Sequence, residues 1–187
     1  MKTIKQMANT MIGCIFLMFI ALVTDGQNTV SISAGPAVNL TFAAPTIAGN
    51  PLLAVTDNSR WLNYNITGTT TTHSISARLE TALPDGLQLQ IVAGVYQGTW
   101  GGSALKPNQR GAKYYDSTPL QDTPGIPATV VTLSLIDQVI VSNIGTFDTG
   151  TGAYLGHQLT YTMRISDYSK VRAVSSNVSV LYTITQP

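Results

Sequence analysis

The stretch that decides the fold lies near the end of the chain and reads Leu159-Thr-Tyr-Thr-Met-Arg-Ile-Ser166. Apolar side chains occupy Leu159, Tyr161, Met163 and Ile165, and polar side chains occupy the positions between them. This period of two is that of a β-strand with one face buried and the other in water. A helix would instead repeat its apolar residues three and four positions apart.

The same alternation recurs along most of the chain. It is found at residues 30–34, 38–42, 62–66, 75–79, 87–93, 131–135 and 178–184, and residues 139–144 are expected to form a more buried strand. Turn sequences such as Gly35-Pro36 and Pro84-Asp85-Gly86 separate these segments. The pattern predicts an all-β fold: a single antiparallel β-sandwich, Ig-like or jelly-roll, with about 8–10 strands and little helix.

The first 26 residues are predicted to be a secretory signal peptide. Lys2 and Lys5 precede an apolar run at 11–23, which is shorter than the roughly 20 residues of a membrane-spanning helix. Thr24 and Gly26 are small residues suited to a cleavage site. We expect residues 27–187 to be secreted or held at the bacterial cell surface, with no membrane span left after cleavage. An uncleaved anchor and a lipid on Cys14 are the alternatives.

The net charge and the missing motifs argue against several classes of function. The whole chain has a formal net charge of +1, which argues against a nucleic-acid partner and against docking on an anionic membrane. Nucleophile-elbow, P-loop and dinucleotide-binding motifs are missing from the sequence, so we predict a non-enzyme without catalytic residues or cofactors. The two histidines, His73 and His157, are expected to be sheet residues. Asp148 is predicted to form a turn, with calcium binding as the weaker alternative.

One long segment departs from the alternation. Residues 97–128 are rich in Gly and then in Pro, which predicts a long loop, and such loops are often functional. The candidate binding residues there are Trp100, Arg110, Tyr114 and Tyr115. Aromatic rings in loops or at strand edges suit glycans because sugar rings have apolar faces. Outside this segment those rings are Trp61, Tyr64, Tyr96 and Tyr154, with core packing as the alternative role of Tyr64. A carbohydrate-binding module is therefore the alternative function, and a mobile insertion is the simpler interpretation.

Three segments resemble a known class of proteins. Gly156-His-Gln-Leu-Thr-Tyr-Thr-Met163, Ser179-Val-Leu-Tyr-Thr-Ile-Thr185 and Trp61-Leu-Asn-Tyr-Asn-Ile-Thr-Gly68 are similar to strands of secreted bacterial β-sandwich proteins. The class is the fimbrial or spore-coat-U-like surface subunits with Ig-like pilin domains. The resemblance implies a structural or adhesive role, with identical or related subunits as partners. It carries over no catalytic residue, and the cysteine pair of many such subunits is absent.

The resemblance also implies assembly by strand addition, in which an N-terminal arm completes the sheet of the next subunit. The candidate assembly arm is residues 27–34, with Val30 and Ile32 on one face. Its alternative role is the first strand of its own sheet. The predicted function is thus a secreted, non-enzymatic structural or adhesive surface subunit.

Overall fold

The structure is a computed structural model that describes residues 14–21, 28–33, 35, 37–43, 50–67, 71–100, 103–104, 124–172 and 175–186. Of residues 14–21, 97–100 and 103–104 it describes the backbone only. The described residues form strands and no helix, so the predicted all-β fold is confirmed. Accordingly, none of these residues belongs to a helix that is long and apolar enough to cross a membrane.

Thirteen strands follow one another along the described residues. They are β1 (Cys14–Ala21), β2 (Thr29–Ser33), β3 (Ala37–Thr41), β4 (Val55–Ile66), β5 (His73–Leu79), β6 (Leu87–Trp100), β7 (Ser103–Ala104), β8 (Pro124–Pro127), β9 (Val131–Thr132), β10 (Gln138–Ile144), β11 (Phe147–Asp148), β12 (Leu155–Ile165) and β13 (Ser176–Thr185). The number exceeds the prediction because two-residue strands are too short to show alternation, and because β1 lies inside the predicted signal peptide.

The strands form two sheets. Sheet 1 has the order β3-β1-β13-β5-β10-β8, and sheet 2 has the order β11-β4-β12-β6-β7. β2 also pairs with β4, and β9 also pairs with β6. The described pairs are antiparallel, with one parallel pair formed by β1 and β13. Among the described residues, the first strand therefore lies beside the last one.

The core lies between the two sheets, as in a sandwich. Alternating side chains of β5 and β13 in sheet 1 and of β4, β6 and β12 in sheet 2 form one buried apolar cluster. The hydroxyls of Tyr161 on β12 and Tyr182 on β13 hydrogen bond directly across it. Burial raises the pKa of both phenols, so both are neutral in the folded protein.

The structure describes strands at both ends of the segment that was predicted to be a long loop. β6 continues through 97–100, because Gly98 pairs with Leu155 of β12. At the other end, Pro124–Pro127 forms β8 against β10. β8 is the outermost strand of sheet 1 in the described residues, a position where proline is tolerated because one side of the strand needs no partner. Both strands contain glycine or proline, which interrupts the alternation of apolar and polar residues, so the sequence pattern did not predict them.

Candidate functional site

The feature with the clearest functional meaning is the place that β1 occupies in sheet 1. β1 pairs in parallel with β13, from Ile15 opposite Ser176 to Ala21 opposite Tyr182. On its other side it pairs antiparallel with β3, from Cys14 opposite Thr41 to Met18 opposite Ala37. β1 thus fills a gap between two other strands, and we call this gap the strand slot.

The walls of the strand slot repeat the period of two. At one level, position 17 lies between Val38 of β3 and Val178 of β13, which are 1% and 0% exposed. At the next level, position 16 lies between Asn39 and Asn177, which are both exposed. The strand slot therefore fits a segment with an apolar residue at every second position.

β3 also contacts sheet 2, and these contacts do not involve β1. The Arg60 guanidinium of β4 donates a hydrogen bond to the carbonyl of Ala37, and Arg60 is itself buried. The buried side chains of Val38 and Leu40 join the core. These contacts with sheet 2 hold one wall of the strand slot in position.

The occupant of the strand slot is the apolar centre of the predicted signal peptide. In the described residues β3 has β1 as its sheet neighbour, and β13 lies between β1 and β5. Removal of residues 1–26 would therefore leave β3 and one side of β13 with unsatisfied backbone groups. Open edges of this kind are templates for a strand from another chain.

The predicted assembly arm has a place of its own in the structure. Residues 29–33 form β2, which pairs with β4, with Val30 opposite Tyr64 and Ile32 opposite Leu62. Val30 is 2% exposed, and Ile32 is half-buried against the core. Within this chain the arm is thus the first strand of sheet 2, which was the alternative role.

Most of the residues predicted to bind glycans fall outside the part of the chain that the structure describes. Trp100 is the last residue of β6, and the structure describes its backbone alone. Arg110, Tyr114 and Tyr115 lie outside the described residues. Their role in carbohydrate binding stays a prediction.

A glycine-rich loop interrupts the pairing of β4 with β11 and β12. Asp148 of β11 pairs with Asn65, and His157 of β12 pairs with Leu62, so residues 149–156 lie opposite Asn63 and Tyr64 of β4. The last two of these residues begin β12 and pair with β6. The buried Asn63 side chain holds this 149–156 loop: its Nδ2 donates to the Leu155 carbonyl at 2.6 Å, and its Oδ1 accepts from the Gly152 amide at 3.2 Å.

The start of the 149–156 loop is also fixed by hydrogen bonds. Asp148 Oδ1 accepts from the Gly150 amide at 2.8 Å, which is the turn expected at this position. The buried Thr149 hydroxyl accepts from the Tyr64 amide at 2.9 Å. Within the described part of the chain, no three His, Cys, Asp or Glu side chains lie close enough together to hold a metal ion.

The imidazole of His157 is buried, and both of its nitrogens lie within hydrogen-bonding distance of protein oxygens. It is fully buried, its Nδ1 lies 2.8 Å from the Gly94 carbonyl, and its Nε2 lies 2.9 Å from the Tyr64 hydroxyl and 3.1 Å from the Pro124 carbonyl. The Tyr96 ring packs edge-on against it. Because Tyr64 and Pro124 belong to different sheets, His157 links the two sheets. The other histidine, His73, begins β5 and is also buried.

His157 should make stability dependent on pH. Burial lowers its pKa, and the carbonyls of Gly94 and Pro124 offset this only in part. The unfolded chain, with a histidine pKa of about 6.5, therefore binds the proton more readily. The stability that the neutral, buried His157 contributes is fully present above the pKa of the unfolded chain. It is lost as the pH falls towards the lowered pKa of the folded protein.

We expect the His157→Gln variant to lose less stability than the parent protein between pH 7.5 and pH 5.5. Urea denaturation at each pH measures the free energy of unfolding. The His73→Gln variant is the control, and it should keep the slope that His157 produces. Equal slopes for the parent and His157→Gln proteins would contradict the prediction.

The chain was also compared with known proteins. No protein-family model, curated protein or solved structure matches it.

Proposed function

We propose that the protein is a secreted, non-enzymatic structural or adhesive surface subunit of the bacterial envelope, and that it assembles by strand addition. The observation that carries this proposal is the position of β1 in the strand slot. Cys14–Ala21 cannot both be removed on export and complete sheet 1 of the exported protein. After export, a strand from a second copy of the chain takes its place.

A second copy's strand would bind in the strand slot because the two strands that line it, β3 and β13, would otherwise be exposed. Without β1, the backbone of β3 would lose its sheet neighbour in the described residues, and β13 would keep only β5. The buried side chains of Val38, Leu40 and Val178 would lose cover on that side. An added strand restores the hydrogen bonds and buries the apolar edge again, which is how strand addition supplies affinity.

The assembly arm of residues 27–34 is the strand that we propose to enter the strand slot of the next copy. Val30 and Ile32 alternate with Ser31 and Ser33, which matches the alternating walls. In its own chain the arm pairs with one strand, β4, whereas in the strand slot it would pair with both β3 and β13. The same arrangement is expected from the resemblance to Ig-like pilin subunits.

The test is to supply the arm within the same chain. Protein purified after export should begin at Gln27 by mass spectrometry and should form oligomers by light scattering. A fusion that adds a second copy of residues 27–34 after Pro187 should be monomeric, because its own strand slot is then filled. A linker of roughly 4 residues permits an antiparallel insertion, whereas a parallel one needs more than about 10 residues to run back along β13.

A matched control separates strand insertion from the mere presence of a tail. The control fusion carries serine in place of the added copies of Val30 and Ile32, and it should assemble like the parent. A version starting at Val38 should be monomeric, since it lacks the arm. The proposal fails if the exported protein is monomeric at all concentrations, or if both fusions assemble equally.

A further inference from the structure

Tyr154 projects from the protein surface in a strained conformation. It has a φ of 67°, although it is not a glycine, and its side chain is 68% exposed. The left-handed region costs an ordinary residue about 1–2 kcal/mol. Strain of this kind persists only where the surrounding structure enforces it, and it clusters at functional sites. The exposed ring is thus held in place at a cost.

The 149–156 loop holds Tyr154 in this backbone conformation. Gly150, Gly152 and Gly156 all have positive φ, so four of its eight residues are left-handed, Tyr154 included. The two hydrogen bonds from the buried Asn63 side chain hold the loop on either side of Tyr154. An aromatic side chain that is fixed before binding loses little conformational entropy when a ligand arrives.

The Tyr154 ring packs against a buried aromatic ring. The Trp61 ring lies 5.5 Å from the Tyr154 ring, centroid to centroid, and Trp61 is only 3% exposed. Gln158 is the cross-strand partner of Trp61, and its Nε2 donates to the Asn58 carbonyl at 2.8 Å. On the other side of Gln158, Val95 of β6 is 71% exposed at the irregularity between β6 and β12. We call these four side chains, Tyr154, Trp61, Gln158 and Val95, the Tyr154 platform.

We propose that the Tyr154 platform binds a neutral oligosaccharide, with one sugar ring stacked on Tyr154. The C–H face of a pyranose is apolar and matches an exposed aromatic ring, while its hydroxyls match the phenol of Tyr154 and the amide of Gln158. The platform offers one aromatic ring and one valine, which is less apolar surface than a stable protein partner needs. The absence of charge among its four side chains favours a neutral sugar over an acidic one.

The test uses the exported protein on an array of neutral and acidic glycans. We expect binding to neutral glycans, and a loss of at least about tenfold in affinity for Tyr154→Gly, which removes the ring. Glycine accepts the left-handed backbone, so the melting temperature should be retained. Tyr154→Phe should bind within about threefold of the parent. Tyr168→Ala removes another exposed tyrosine and should bind like the parent.

Fluorescence gives a second readout. The chain has two tryptophans, so Trp100→Phe leaves Trp61 as the sole tryptophan beneath Tyr154. Addition of the bound glycan should shift its emission, and Tyr154→Gly should abolish the shift. Binding that is unchanged in Tyr154→Gly, binding to acidic glycans alone, no glycan binding, or a Tyr154-dependent protein partner instead would each overturn the proposal. Because a monomer can bind a sugar, this outcome is independent of strand addition.

Discussion

Replacing Gly156 with alanine should reduce the free energy of unfolding by about 4–5 kcal/mol, which is near the upper limit for a single substitution. A Cβ at this position would lie 2.1 Å from the Leu62 carbonyl oxygen, which belongs to the backbone of β4 and cannot rotate away. The φ of 86° adds strain for any residue other than glycine. Relief of the clash would separate β12 from β4 in the middle of sheet 2.

Gly150→Ala is the matched control for this prediction. Gly150 has a φ of 74°, but a Cβ there would meet only the flexible end of Leu155, at 3.2 Å. The expected loss is about 1–2 kcal/mol, the cost of the left-handed backbone alone. Urea denaturation of both variants measures the difference. Equal losses would show that β4 and β12 do not approach as closely as described.

Tyr161→Ala should cost about 3–5 kcal/mol, as expected for the removal of a large aromatic side chain from a core. Tyr161 is fully buried and hydrogen bonds to Tyr182 on the opposite sheet. The substitution therefore creates a cavity and removes a direct link between the sheets. Calorimetry should show a large decrease in the melting temperature.

Thr160→Ala controls for strand propensity at the adjacent position. Thr160 lies on the opposite face of β12, is half-exposed and pairs with Val92. Its loss should be about 1 kcal/mol or less. If both substitutions had the same effect, the assignment of Tyr161 to the shared core would be wrong.

Alternation predicted the strands whose two faces differ in burial. Residues 159–165 form the C-terminal part of β12, and residues 178–184 form the central part of β13. It did not predict the first half of β4, because Thr56 to Arg60 are mostly polar. There, pairing with β12 satisfies the backbone even though the side chains carry no pattern.

The candidate sites depend on contacts between distant residues. The apolar run at 11–23 has the same composition whether it serves as a signal peptide or as an inner strand, so the strand slot was not visible in the sequence. Likewise, the 149–156 loop depends on the Asn63 side chain, which lies in another strand. A single sequence records neither of these pairings.

The place of β13 has a consequence for the order of folding. β13 lies between β1 and β5, and its pairing with β1 joins Ile15 to Ser176, on the order of 160 residues apart. The pairings of β13 with β1 and with β5 cannot form until β13 has left the ribosome. Closing so long a stretch of chain makes folding slow. Until β13 is in place, β5 therefore lacks one of the two neighbours that it has in sheet 1.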